Sequence, residues 1–199
     1  MGPGEFLRNH FRLFRLSILE RSIREGRVGP VVPPDGVTIE FLAREARRDW
    51  ICSHASEIDW PQFRSALQHD HDLVVARRNG ETLGWAWIGY ESVFLTPLGR
   101  QMQLPAGTAY LYEAYVRPSA RRCGVGTALV AARCRRASER QCDRLLTHVV
   151  EGNTPSLRAL QVHGFEVTGR THFLKALALR VWTRSPLPAT SAASTTSAA

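Results

Sequence analysis

The order of predicted elements in this 199-residue chain makes an α/β domain with flanking helices. Three observations carry that prediction. Residues 108–116, TAYLYEAYV, are rich in the aromatic and branched residues that favour a strand. They run through a turn, R-P-S-A-R-R-C-G-V-G, into ALVAARCRRASERQC, where Leu129, Val130, Ala132 and Ala137 recur at helical spacing against an arginine-rich face. Upstream, DLVVARR and ETLGWAWIGY flank Asn79-Gly80, the strongest short hairpin signal a sequence offers.

The remaining elements follow in chain order. The first residues, MGPGEF, resemble a vector-derived scar. In FLRNHFRLFRLSILERSIREG, Leu7, Phe11, Phe14 and Ile18 fall at helical spacing beside Arg8, Arg12 and Arg15, which predicts a basic amphipathic helix. Packing on the domain, or on a second subunit in a homodimer, is its favoured role over membrane attachment. Residues 28–36, VGPVVPPDG, read as a linker, so that residues 1–36 form an N-terminal helix and linker. The domain, residues 37–184, opens with the strand VTIEFL and the helical stretches AREARRDWICSHAS and PQFRSALQHD. After the hairpin, residues 91–107 read as a long loop. Beyond the central helix come a strand, RLLTHVVEG, a short helix, NTPSLRALQVH, and two closing strands, GFEVTGR and LKALALRVWTR. The tail, 185–199, lacks apolar periodicity and is expected to be disordered.

Composition narrows the function classes. A hydrophobic fraction of 44% and a charged fraction of 22% are ordinary for a globular protein. The net charge of +8 would suit a polyanionic partner, but the excess is almost wholly arginine, and no zinc-finger spacing or aromatic ribonucleoprotein signature accompanies it. No clear nucleic-acid or membrane partner is therefore indicated, and a basic protein that binds nucleic acid or an anionic membrane is kept only as an alternative. Cys52, Cys123, Cys134 and Cys142 make no C-x-x-C pair, so no metal site is expected and reduced thiols in a cytoplasm fit best.

The turn at 117–126 is the most informative stretch. A helix start exposes backbone N–H groups without intrahelical partners and carries the positive end of the helix dipole, an arrangement that attracts phosphate. Gly124 and Gly126 carry no Cβ and let a diphosphate approach the backbone. Arg121 and Arg122 add permanently charged, forked donors beside it. The spacing is neither the dinucleotide G-x-G-x-x-G nor a P-loop.

Together with the later run N-T-P-S-L-R-A-L-Q-V-H-G-F, the segment V-R-P-S-A-R-R-C-G-V-G-T-A-L resembles the GNAT superfamily of acyl-CoA-dependent N-acyltransferases, over residues 37–183. The resemblance implies a mixed, mostly antiparallel sheet whose two central parallel strands, about 109–116 and 144–150, splay at their C-terminal ends. Acetyl-CoA is then the co-substrate. Its pantetheine would pair with the backbone of Tyr115 and Val116, and its pyrophosphate would lie on the amides of Arg121, Arg122, Cys123, Gly124, Val125, Gly126 and Thr127. Asn153 and Ser156 would face its far side.

The implied reaction is transfer of an acetyl group to a primary amine by direct attack on the thioester. Such amines are mostly protonated at neutral pH, with a pKa of about 10.4 for a lysine-like amine and about 8 for an α-amino group. A base is therefore needed, either directly or through water. Glu113, on the first central strand, occupies a position that is often acidic in the family, and His148, on the second, stands where some relatives keep a glutamate. Tyr112 precedes Glu113 and, by strand alternation, points to the other face. Many relatives place a thiol-protonating tyrosine seven residues after the motif asparagine; here that residue is Leu160. Either Tyr112 or a water replaces it or the thiol departs unaided, and a non-catalytic acyl-CoA-binding module is an alternative. The amine is not named by the sequence. Trp60, Trp85, Trp87 and Tyr90 lie near its expected approach, with Trp85 and Trp87 on one strand face as core residues would be.

Overall fold

A computed structural model of the chain describes residues 11–23, 30, 32–54, 66–95, 99–176 and 179–186. Among the described residues ten strands are arranged as β1 (Phe11–Ser22), β2 (Thr38–Phe41), β3 (Asp72–Arg78), β4 (Glu81–Tyr90), β5 (Ser92–Leu95), β6 (Arg100–Gln103), β7 (Thr108–Val116), β8 (Arg144–Val150), β9 (Glu166–Ala176) and β10 (Leu179–Pro186). The helices are α1 (Arg44–Ser53), α2 (Val125–Glu139) and α3 (Thr154–Gln161). Eight strands form one sheet in the order β10-β9-β1-β8-β7-β4-β3-β2, in which only β7 and β8 are parallel.

The central strands of the sheet are buried on both faces. On one, α1 supplies Trp50 and Ile51 to a cluster with Trp85, Trp87, Tyr110 and Tyr112. On the other, α2 packs Val125, Leu129 and Ala132 on Val74 and Ala86, and continues through Val130 and Cys134 onto Leu111 and Leu145. Trp85 and Trp87 are thus core residues.

Two expectations are corrected. Residues 11–22 form no amphipathic helix; they are strand β1, inserted between β8 and β9 and hydrogen-bonded to both. Leu19 packs toward α2 while Leu16 and Ile18 line a cavity on the opposite side, so both faces of the strand carry apolar residues. That erases the period-2 alternation and leaves the accidental spacing of 11, 14 and 18 to imitate a helix. The stretch read as a long loop, 91–107, contains the β5–β6 hairpin, with Ser92 opposite Gln103 and Leu95 opposite Arg100. Trp60 and the first half of the helix expected at 61–70 lie outside the described residues, as do residues 187–199 of the tail.

Candidate active site at a forked pair of strands

The parallel pairing of β7 with β8 runs only from Thr108–Arg144 to Leu111–Thr147, after which the strands part. At the parting, Thr147 Oγ1 donates to the Leu111 carbonyl at 2.7 Å and satisfies a ladder acceptor the departing strand leaves behind. The other edge of β7 carries a bulge: Trp87 pairs with Tyr112 and Trp85 with Tyr115, so Glu113 and Ala114 together oppose Ala86. Glu113 adopts φ 44°, a left-handed conformation rare for its type. Gly84 makes the close approach feasible, because a Cβ there would stand 2.6 Å from the Tyr115 carbonyl oxygen.

Those contacts orient the end of β7. The Tyr115 carbonyl meets Gly84 of β4, and the Arg117 N–H donates to the Leu83 carbonyl at 2.8 Å. Since backbone groups of successive strand residues alternate sides, Val116 turns its own N–H and C=O toward the fork. Its carbonyl accepts from Arg121 Nε at 3.0 Å.

Beyond a 3-10 turn, Pro118–Ala120, the chain bends through Arg122 (φ 63°) and Gly124 (φ 82°) into α2. The first helical bond is from the Ala128 N–H to the Gly124 carbonyl, 3.0 Å, so the amides of Val125, Gly126 and Thr127 have no intrahelical acceptor. At Gly124 the left-handed backbone itself calls for glycine. At Gly126 the fold does not: a Cβ would make only an ordinary contact with Val116 Cγ2, at 3.7 Å. Arg121, Arg122 and Cys123 are exposed around these amides. Across the fork, Asn153 caps α3 by accepting from the Ser156 N–H at 3.3 Å.

The two candidate aromatic–histidine groups sit on the face away from α2. His71 is buried, and its Nε2 lies 2.8 Å from the Ser92 carbonyl, so that nitrogen carries the proton. Nδ1 then accepts from the Tyr112 hydroxyl at 2.6 Å. Burial pushes His71 down to about 4 and pushes Tyr112 well above the usual phenol range. Tyr112 would have to break this buried hydrogen bond before it could donate elsewhere. His148 pairs through Nδ1 with the Tyr110 hydroxyl at 2.6 Å, and burial pushes its imidazole down to about 4 as well. Glu113, by contrast, is exposed at the bulge.

The structure therefore brings Tyr115, Val116 and the 121–127 turn onto one side of the fork and Asn153 and Ser156 onto the other. It separates Tyr112, engaged inside the core, from Glu113 at the surface. Leu160 is buried among Val130, Leu145 and Phe165, a packing position. Thr147, Tyr110 and His71 were not singled out in the sequence. His71 and Tyr112 lie 41 residues apart and meet only because β3, β4 and β7 are neighbours.

A family model for the acetyltransferase (GNAT) family matches residues 39–165. The chain belongs to the GNAT acetyltransferase family. Solved structures agree on the fold. A tandem GNAT protein from the clavulanic acid biosynthesis pathway superposes with TM-score 0.59 at 15% identity, covering 93% of this chain and 58% of that one. GCN5-related N-acetyltransferases from Kribbella flavida and Sphaerobacter thermophilus give 0.56 and 0.53, each at 17% identity, covering 86% and 92% of this chain and 62% and 55% of theirs. The chain thus spans somewhat more than half the length of these GNAT structures. No curated protein matches it.

Acyl transfer to an amine is the family's general chemistry, and the residues present fit its acyl-CoA. Unpaired first-turn amides, a glycine at 126 that packing does not require and two exposed arginines together suit a diphosphate. Among the described residues no helix is long and apolar enough to cross a membrane. All four cysteines are free.

Proposed function

We propose that the chain is an N-acetyltransferase that moves an acetyl group from acetyl-CoA to a primary amine within a ternary complex. The observation that carries this reading is the adjacency of the fork and the α2 N-terminus: β7 parts from β8 after Leu111, and at its end Val116 lies against Gly126, where a Cβ would stand 3.7 Å from Val116 Cγ2 beside the unpaired first-turn amides. Tyr115 and Val116 would hold the pantetheine as an added strand is held. The 121–127 amides, with Arg121 and Arg122, would hold the pyrophosphate, and Asn153 and Ser156 would close the far lip. What the co-substrate supplies is an acetyl group activated as a thioester.

The chain's own part is positioning and proton management. Parted strands expose backbone N–H groups where negative charge develops on the thioester oxygen. Glu113 is the stronger candidate for the proton acceptor, because it is solvent-accessible on the forked strand and water can link it to an incoming ammonium. His148, neutral above about 4, is suited to accept a hydrogen bond from an amine and poorly suited to hold its proton. Free thiols fit the reducing cytoplasm we propose as its compartment.

The test is Gly126→Leu, which adds bulk over the amides without a backbone penalty. Calorimetry should show CoA affinity reduced at least tenfold with the unfolding midpoint retained. Unchanged CoA affinity in this variant would sink the reading. Gly124→Leu is a poorer probe, since its left-handed backbone and a 3.3 Å approach to Pro34 would perturb the fold itself.

A further inference from the structure

A cavity of about 330 Å³ opens on the face away from α2, between β1, β8, the start of β7 and the β5–β6 hairpin. Its walls are Leu16 and Ile18 from β1, Leu146 from β8, and Leu95, Met102 and Leu104 from the hairpin and its exit. Two pairs of polar groups stand apart along β8, and Gln103 and Thr171 also belong to the lining. At one end, Tyr110 and His148 share their hydrogen bond, and His148 is the first β8 residue past the last rung at Thr147. This end therefore touches the fork. Four residues back along β8, about 13 Å at roughly 3.3 Å per residue, stand Arg144 and its partner Glu20, which accepts from the Arg144 guanidinium at 2.8 Å. Arg100 lines the cavity as well.

From this arrangement we infer that the cavity is the acceptor chamber, and that it selects a monoamine with an apolar body, aromatic or branched, over diamines and other polycations. The inference rests on the transferase reading for the role of the site. Its chemistry rests on the walls. Apolar surface stabilises a buried hydrocarbon body by about 25 cal/mol per Å², and a volume near the lower end of the usual ligand range, about 300–1,000 Å³, suits a small molecule. A second ammonium at the far end would meet two arginines and a carboxylate already bound to one of them. Glu20, the one carboxylate among the lining residues, is already engaged by Arg144, so a second ammonium would gain little there to offset its loss of water. At the fork end, the neutral amine finds the Tyr110–His148 pair as a hydrogen-bonding partner beside the thioester position. An acyl chain is a less suitable occupant, because its methyl end would bury the Glu20–Arg144 pair without satisfying it.

Two measurements separate this inference from the reading beneath it. Calorimetry on the full chain with saturating CoA should show 4-phenylbutylamine binding at least tenfold more tightly than 1,5-diaminopentane or spermidine. Met102→Trp, which fills the cavity from an edge hairpin, should weaken phenylbutylamine at least tenfold with CoA affinity unchanged, and Met102→Glu should narrow the gap to the diamine. Equal binding of the diamine to the unaltered chain, or no response to either variant, overturns the inference. So does tighter binding of octanoyl-CoA than acetyl-CoA that Met102→Trp abolishes, since the cavity would then hold acyl chain. Thiol release from acetyl-CoA is followed in parallel. Amine binding without release would sustain the chamber and defeat the transferase reading; release with diamines preferred would do the reverse.

Discussion

The Thr147 hydroxyl donates to the Leu111 carbonyl at 2.7 Å, and this bond marks where β7 and β8 stop being neighbours. A parallel ladder that simply ended in the core would strand a buried acceptor. Thr147 is buried, and its side chain replaces the missing backbone donor, so the strands part without an unsatisfied group.

Thr147→Val tests this with nearly the same shape. The Leu111 carbonyl would lose its donor, and leaving a buried acceptor unsatisfied costs about 1–3 kcal/mol. Urea unfolding should show a loss in that range with an unchanged m-value. CoA affinity should also fall, because the fork would close onto the orphaned carbonyl or admit water there. A variant with wild-type stability would show that the hydroxyl plays no part in holding the fork.

A second prediction concerns Asp72, whose carboxylate is buried and accepts from Arg136 Nε at 2.9 Å, Arg140 at 3.0 Å and the Tyr90 hydroxyl at 2.9 Å. The Arg140 guanidinium also lies 4.6 Å over the Tyr90 ring. This cluster ties the C-terminal half of α2 to the sheet, at the end opposite the phosphate-facing amides. Asp72→Ala leaves a phenol and two guanidiniums facing a hole, and breaking such a buried ion pair costs about 3–5 kcal/mol. Thermal unfolding should reveal it, while Arg136→Met should cost less because that side chain is one-third exposed.

Acid stability follows from two histidines held neutral in the fold, the buried His71 and the half-buried His148. In the unfolded chain an imidazole titrates near about 6.5, whereas His71 and His148 are pushed down to about 4 in the fold. Between these values the unfolded state binds protons that the native state refuses, so stability is full above about 6.5 and falls as pH drops toward 4. The slope is about 1.4 kcal/mol per pH unit for each histidine. Below 4 both states are protonated and this contribution levels off. His71→Gln should flatten the slope of unfolding free energy between pH 6 and 4.5 by about half. An unaltered slope would mean that His71 is not held neutral.

Legibility from sequence tracked how local the determinants were. The strand, glycine turn and helix of residues 108–139 were readable because every determinant lies within a few residues of the next: Gly124 supplies the left-handed turn, and the first-turn amides follow from helix geometry alone. Strand β1 was not, because a strand covered on both faces carries no alternation and its pairing partners lie more than a hundred residues away. The bulge at Glu113 depends on the absence of a side chain at Gly84, on another strand, and so it interrupts an alternation that the sequence of β7 alone continues. Likewise, Tyr112 reads as a free phenol until His71 is brought under it.

The last prediction separates the two candidate bases. Glu113 is held at φ 44° by the bulge, in a conformation a non-glycine residue seldom adopts, and strain of that kind persists where surrounding structure enforces it. It is exposed on the strand that forms one wall of the fork, within reach of solvent that could relay a proton from an ammonium bound at the fork. His148 stands on the other wall, but burial leaves it with a proton affinity too low to retain a proton taken from an amine at neutral pH. A positioned base contributes about a hundredfold to ten-thousandfold. Glu113→Gln should therefore lower kcat by at least a hundredfold on the best acceptor, erase the acidic limb of the pH–rate profile and leave CoA affinity intact. His148→Phe should raise the amine KM and leave that limb where it was. The opposite assignment, an acidic limb lost in His148→Phe and kept in Glu113→Gln, would place the proton acceptor on β8. It would also require His148 to be far more basic when the amine is bound than its burial in the unliganded fold permits.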